Sequence, residues 1–126
     1  MRDVQQTIDG YFAVWNESDA ARRRALIAQT WSDDAEYVDP LLAARGAEGI
    51  DAMVGGVQAQ YPSHAFRLAG PVDSHNDRAR FAWEMVGPDA TPVVAGLDVA
   101  VIAPDGRLRS VTGFIDYMPG SGNGTR

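Results

Sequence analysis

The stretch Val93-Val94-Ala95-Gly96-Leu97-Asp98-Val99-Ala100-Val101-Ile102-Ala103 decides how this sequence is interpreted. It is rich in valine and is typical of a buried or half-buried β-strand, with Asp98 as its only polar side chain. An ionised carboxylate is costly in such surroundings unless it is paired or protonated. Because a neutral carboxylic acid donates a hydrogen bond, Asp98 is a candidate chemical group. The alternative is that Asp98 faces solvent from a one-sided sheet.

Length, charge and cysteine content exclude several classes of protein. The 126 residues suffice for one domain with one core. The net charge of −6 argues against nucleic acid or a membrane surface as partner. There is no cysteine, no membrane-length apolar run and no basic leader followed by an apolar segment, so we expect a cytoplasmic protein. No histidine and carboxylate spacing indicates a metal site, and we expect no cofactor.

The first half of the chain predicts three helices, at residues 3–16, 20–30 and 48–60. In the first of these, apolar residues recur along one face: Ile8, Tyr11, Phe12 and Trp15. The basic triplet 22–24 is interpreted as a solvated helix face. An early strand at 35–38 ends at Asp39, which precedes a proline, and residues 41–46 are predicted to form a loop.

The second half predicts strands only. They cover residues 64–73, with an interruption near Gly70-Pro71, and then 78–86, 93–103 and 108–116. A turn at Pro104-Asp105-Gly106 joins the last two. Helices segregated from an antiparallel sheet predict an α+β domain over residues 1–118, and we expect a flexible tail at 119–126.

Short segments of this sequence carry a resemblance to a known family: residues 11–16, 32–40, 46, 96–98, 105–108 and 113–114. Through them the chain resembles the NTF2-like superfamily, in particular its SnoaL-like and ketosteroid-isomerase-like branches. The resemblance implies a cone-shaped domain in which three N-terminal helices pack on a curved, mostly antiparallel sheet. It also implies a homodimer formed through the sheet, for which Ala82 and Val86 on the strand at 78–86 are candidates.

Three residues match the catalytic residues of ketosteroid isomerases, and their roles are those that the resemblance implies. The resemblance gives Tyr11 and a protonated Asp98 as oxyanion-hole donors and Asp39 as the general base. It implies a cofactor-free isomerase, or a polyketide-cyclase-like enzyme, that acts on a small apolar, steroid- or polyketide-like ketone. Without the resemblance, Tyr11 is equally consistent with a core aromatic and Asp39 with a residue that ends a strand.

Aromatic and apolar side chains are predicted to line the pocket, although each is also consistent with a place in the core: Trp31, Met53, Val57, Trp83, Met85 and Phe114. Val54 stands where some isomerases supply a supporting tyrosine, and the sequence places neither Tyr37 nor Tyr61 in the pocket.

Two other functions are open to a chain of this type. The first is a non-catalytic domain that binds a small apolar molecule. The second is an epoxide hydrolase of the limonene type, a relative that needs an arginine between two aspartates. Gly96 and Gly113 occupy the corresponding places here, which argues against epoxide hydrolysis.

Overall fold

The computed structural model of the protein describes residues 3–119. Of the predicted tail, residues 120–126 lie outside the described residues. The chain forms three helices and seven strands within the described range, in the order α1 (Val4–Asn16), α2 (Ala20–Thr30), β1 (Trp31–Val38), β2 (Ala43–Arg45), α3 (Gly46–Gln60), β3 (Ala65–Leu68), β4 (Asp73–His75), β5 (Arg78–Val86), β6 (Pro92–Ile102) and β7 (Leu108–Tyr117).

The helices begin where the sequence supplies capping groups. Asp3 accepts a hydrogen bond from the Gln6 backbone N–H at 2.8 Å and forms a capping box at the start of α1. Asp19 caps α2 by accepting a hydrogen bond from the Arg22 backbone N–H at 2.9 Å. Gly46 starts α3 with a φ of 73°, a conformation that favours glycine. The three predicted helices are therefore confirmed to within two residues.

One arginine of the basic triplet departs from the predicted solvated face. Arg23 is only 7 % exposed, and its Nε donates to Asp51 Oδ1 of α3 at 2.6 Å. Its guanidinium also donates to Gln58 and to the Glu17 carbonyl. Because a buried cation must be paired, this network fixes α2 and α3 against each other.

The strands form one mixed, mostly antiparallel, curved sheet in the order β2-β1-β7-β6-β5-β3, with β4 also paired to β5. The β1–β7 pair is parallel and the other pairs are antiparallel. This confirms the α+β class with three helices packed on a curved sheet.

Two details of the prediction are wrong. Strand β1 begins at Trp31 rather than at residue 35, since the polar residues 32–34 conceal its start. The predicted loop contains β2, which at three residues is too short to show an alternating pattern.

Strand alternation decides which residues face the helices. In β5 the inward side chains are buried: Ala79, Phe81, Trp83 and Met85. Asp98 of β6 pairs with Phe81 on one side and with Gly113 of β7 on the other, so it stands on the same inner face. Val86, predicted for the outer face, is only 8 % exposed and follows a shift in pairing register.

Candidate active site

A cavity of about 350 Å³ lies between the helices and the inner face of the sheet. Its walls are mostly aromatic and aliphatic, and its polar groups come from a few side chains. It is lined by Tyr11, Phe12, Trp15, Tyr37, Asp39, Leu41, Leu42, Val57, Gln60, Tyr61, Phe66, Trp83, Met85, Val94, Asp98, Ile115 and Met118. An apolar pocket with a few convergent polar groups is the usual form of a small-molecule site.

Asp98 lies at the buried end of this cavity. The residue is 2 % exposed, so the interpretation that places it on a solvent face is wrong. Desolvation by the surrounding core raises the pKa of its carboxyl to about 7, and the nearby charge of Asp39 acts in the same direction. Hydrogen bonding from Tyr11 opposes this shift. Asp98 is therefore neutral in a substantial fraction of molecules near neutral pH.

Tyr11 of α1 is bonded directly to that carboxyl. Its hydroxyl donates to Asp98 Oδ2 at 2.6 Å, and the tyrosine is 2 % exposed. Burial and the charge of Asp98 raise the pKa of Tyr11 well above its ordinary value. The phenol stays protonated, and its single proton is directed to Asp98.

Asp39, at the end of β1, has a different environment. Its Oδ1 accepts from the backbone N–H groups of Leu41 and Leu42, each at 2.8 Å. Its Oδ2 accepts from the Tyr37 hydroxyl at 2.6 Å. Three donors directed at one half-buried carboxyl are the partners that an ionised carboxylate accepts.

Tyr37 is a site residue that sequence reasoning missed. It lines the cavity and is 5 % exposed, and burial raises the pKa of its phenol above the ordinary value. A signal was present, because Tyr37 precedes Asp39 by two residues and alternate residues of a strand share one face.

Gly113 allows these groups to converge. A methyl group placed on its Cα would lie 2.9 Å from Asp98 Oδ1, 3.1 Å from Asp39 Cβ and 3.3 Å from the Tyr37 hydroxyl oxygen. The two carboxyls and the phenol therefore surround one point on the inner face of β7. A side chain at residue 113 would occupy the space between them.

Two buried polar atoms of the cavity have no hydrogen-bond partner within residues 3–119: Asp98 Oδ1 and Trp83 Nε1. Both residues line the cavity. Since buried polar groups are nearly always paired, an unpaired donor and an unpaired carboxyl oxygen in one cavity indicate a place for a ligand.

The match to known proteins identifies the family. A model of the SnoaL-like domain matches residues 8–111. The chain belongs to the SnoaL-like domain family. Among solved structures, this SnoaL-like protein is similar to a proposed isomerase of the same family from Agrobacterium tumefaciens, with 38 % identity and a TM-score of 0.86. That alignment covers 90 % of this chain and 97 % of the other.

More distant structures share the fold. A proposed polyketide cyclase from Sinorhizobium meliloti has 16 % identity and a TM-score of 0.67, over 86 % of this chain and 93 % of the other. An NTF2-like protein of unknown function from Exiguobacterium has 24 % identity and a TM-score of 0.66, over 87 % and 98 %. No curated protein matches the chain.

The structure places three of the predicted lining residues of this SnoaL-like protein at the cavity: Val57, Trp83 and Met85. The other three do not line it. Trp31 is 2 % exposed within the core, and Met53 packs against that core from α3. Phe114 points to the outer face of β7 and is 52 % exposed, because it alternates with the inward Gly113 and Ile115.

The two tyrosines that the sequence left unplaced both line the cavity, whereas Val54 is fully buried in the core. Across residues 3–119 there is no group of three histidine or carboxylate side chains that could hold a metal ion. None of the helices described here is long and apolar enough to cross a membrane.

Proposed function

We propose that this SnoaL-like protein is an isomerase or polyketide-cyclase-like enzyme that transfers a proton next to the carbonyl of a small apolar ketone. The observation that carries the proposal is the pair of carboxyls, one buried and one half-buried, that line one apolar cavity. Among residues 3–119 Asp98 has no oppositely charged partner, and its pKa is raised to about 7, whereas Asp39 accepts three hydrogen bonds. Two carboxyls in such different surroundings suit the separate roles of acid and base.

Asp39 is the general base in this proposal. Its carboxylate takes a proton from the carbon next to the carbonyl, and the electron pair of the broken C–H bond moves into the enolate. The proton then returns to another carbon of the same substrate, which restores Asp39. No electron is gained or lost overall, so the reaction needs no redox cofactor.

Asp98 stabilises the enolate oxygen as a neutral acid. Its Oδ1 is the unpaired oxygen, so a proton there is available to the substrate. Tyr11 donates to Oδ2 of the same carboxyl and makes Oδ1–H a better donor. The sequence resemblance implied that Tyr11 and Asp98 each donate to the substrate oxygen. Because the Tyr11 hydroxyl donates to Asp98 instead, we assign only Asp98 to the substrate, with Tyr11 supporting it. One donor in a dry pocket contributes about 3 kcal/mol to such a step.

The cavity walls favour a flat, apolar substrate of the steroid or polyketide type. Aromatic rings of Trp15, Phe66 and Trp83 follow one another along the wall, with centroids 4.9 Å and 5.9 Å apart. The likeness to the proposed isomerase from Agrobacterium tumefaciens supports the reaction class.

Hydrogen–deuterium exchange tests the proton abstraction without knowledge of the product. A bicyclic β,γ-unsaturated ketone is incubated with the protein in D₂O, and deuterium at the carbon next to the carbonyl is followed by NMR. We expect exchange that falls at least about a hundredfold in Asp39→Asn, because the amide is not a base. Exchange that is absent from the wild type, although the ketone binds, would establish a non-catalytic binding domain instead.

Asp98→Leu is the second variant of this test, since it removes the donor and keeps an apolar side chain of similar size. We expect its exchange rate to fall by roughly a hundredfold. An unchanged rate would contradict the role of Asp98 as the acid.

A further inference from the structure

Trp83 carries a buried indole N–H that the proposed reaction does not yet use. The residue is 9 % exposed, faces inward from β5 and lines the cavity, and its Nε1 has no partner in the described part of the chain. A buried tryptophan N–H usually finds a hydrogen-bond partner. This donor is therefore available to an acceptor inside the cavity.

Gly96 determines where that N–H lies. A methyl group on Gly96 would be 2.6 Å from Cζ2 and 2.8 Å from Cε2 of Trp83. Because Cε2 is bonded to Nε1, the nitrogen-bearing side of the indole packs directly over this glycine. Any side chain at residue 96 would displace the ring.

Asp98 is the next inward residue of β6 after Gly96, so the indole nitrogen and the carboxyl are neighbours on one face. The indole N–H lies near enough to Asp98 to oppose the rise in the pKa of that carboxyl. Neither Trp83 Nε1 nor Asp98 Oδ1, however, makes a hydrogen bond to any residue from 3 to 119.

We infer that Trp83 Nε1–H and Asp98 Oδ1–H together bind the oxygen of the substrate, with Tyr11 acting through Asp98 as a positioning residue. The inference rests on the proposed function, since it names the second donor of that same site. Tyr11 cannot be this donor while its single proton is engaged by Asp98 Oδ2 at 2.6 Å. Two neutral donors select a ketone or phenol oxygen over an apolar ligand of equal shape.

Paired ligands separate recognition of oxygen from the filling of the cavity. The affinities of 2-naphthol and naphthalene are measured at pH 6, where Asp98 is mostly neutral, and their ratio reports the oxygen-specific contacts. In Trp83→Phe, which removes the N–H and keeps an aromatic ring, we expect the preference for naphthol to fall about tenfold. Val57→Ala is the control: it trims the α3 wall of the cavity and removes no hydrogen-bonding group, so we expect both affinities to fall together.

An unchanged naphthol preference in Trp83→Phe would overturn the inference and leave Trp83 as part of the wall. That result is distinct from failure of the proposed function. If the oxygen site itself is wrong, the wild type shows no preference for naphthol and Asp98→Leu changes nothing. If the site is right and only the Trp83 inference is wrong, Asp98→Leu abolishes the preference and Trp83→Phe retains it.

A spectroscopic readout covers the case in which Trp83→Phe fails to fold. In the wild type labelled with ¹⁵N-tryptophan, the Trp83 indole signal is identified by its contacts with Met85 and Val94, which share its cluster, whereas Trp15 and Trp31 belong to another. We expect 2-naphthol to move this N–H signal downfield and naphthalene to leave it nearly in place. Equal responses to both ligands would also overturn the inference.

Discussion

Asp39 and Asp98 are chemically identical side chains that differ through their neighbours. Asp39 follows a strand end, where the chain turns and presents the N–H groups of Leu41 and Leu42 to it. Asp98 sits inside a strand whose backbone N–H groups are engaged in the sheet, so only side chains can reach it. Burial inside the strand favours the neutral form of Asp98, whereas the turn after β1 supplies Asp39 with hydrogen-bond donors.

The buried acid makes stability depend on pH in a defined direction. The pKa of Asp98 is raised from 3.8 to about 7 in the folded protein, so the folded state binds a proton that the unfolded state has released. The free energy of unfolding therefore falls as pH rises. The stabilising contribution of Asp98 is fully present below about pH 4 and is lost as pH rises to about 7. The shift corresponds to a loss of the order of 4 kcal/mol.

Urea unfolding of the wild type and of Asp98→Asn between pH 4 and pH 8 measures this effect. We expect the wild type to lose stability relative to the variant as pH rises towards 7, and the difference to level off above it. Because the other carboxyls are common to both proteins, their titration cancels in the comparison. A difference independent of pH would show that Asp98 titrates normally.

Gly113 gives a second prediction at the scale of one residue. In Gly113→Ala the new methyl group would lie 2.9 Å from Asp98 Oδ1, which is too close unless the carboxyl moves. We expect the preference for 2-naphthol over naphthalene to fall at least about tenfold, because the donor is displaced while the apolar wall stays. Titration of the variant with both ligands checks this. Retention of the full preference would mean that the space above Gly113 is not used.

At the scale of elements, the sequence predicted what local spacing determines. The apolar stripe of α1 and the alternation of β5 correctly predicted the type and the position of these two elements, because one face of each is buried over several residues. In strand β1 a run of polar residues, 32–34, follows Trp31, and β2 has three residues, so neither start was visible in the pattern. Their pairing depends on neighbouring strands rather than on local sequence.

The same reasoning applies to the pocket. The place of Asp98 and Asp39 at the cavity could be predicted because a resemblance pointed to them, and that of Trp83 and Met85 because β5 alternates clearly. The prediction that Phe114 lines the pocket was wrong. Which side chains of β7 point inward depends on its register with β6, and the sequence of β7 does not reveal that register.

Two glycine variants separate helix propensity from close packing. Gly56 lies exposed within α3, and a methyl group there would meet no atom within 4 Å. Gly56→Ala should therefore stabilise the protein by about 0.5–1 kcal/mol.

In Gly96→Ala the methyl group would lie 2.0 Å from the backbone oxygen of Phe114, so the β6–β7 pair must shift. We expect a loss of more than about 3 kcal/mol, or no folded protein.

Thermal and urea unfolding of both variants gives the two signs directly. Gly96→Ala with near wild-type stability would contradict the close approach of β6 and β7. A destabilised Gly56→Ala would show that α3 requires glycine for a reason other than space.

At the scale of the whole molecule, the sheet has two different faces. The inner face carries the cavity, and the outer face carries apolar side chains in register across three strands: Ala82 of β5, Leu97 of β6 and Phe114 of β7. Phe114 is 52 % exposed and Tyr117 of the same strand is 47 % exposed. A contiguous apolar row on a sheet is typical of a surface that is covered by another chain.

We propose that a second copy of this chain covers the outer face, in line with the homodimer that the sequence resemblance implies. An isologous contact places the same row against itself across a two-fold axis, so one substitution acts twice.

Phe114→Glu places two carboxylates in the contact and should weaken the dimer at least about a hundredfold. Sedimentation velocity over a concentration series measures this, with Ser18→Glu as the control because it adds the same charge in an exposed loop. Since Phe114 does not line the cavity, the variant should still prefer 2-naphthol to naphthalene. A wild type that stays monomeric at high concentration would contradict the dimer, and loss of the ligand preference in monomeric Phe114→Glu would mean that pairing shapes the cavity.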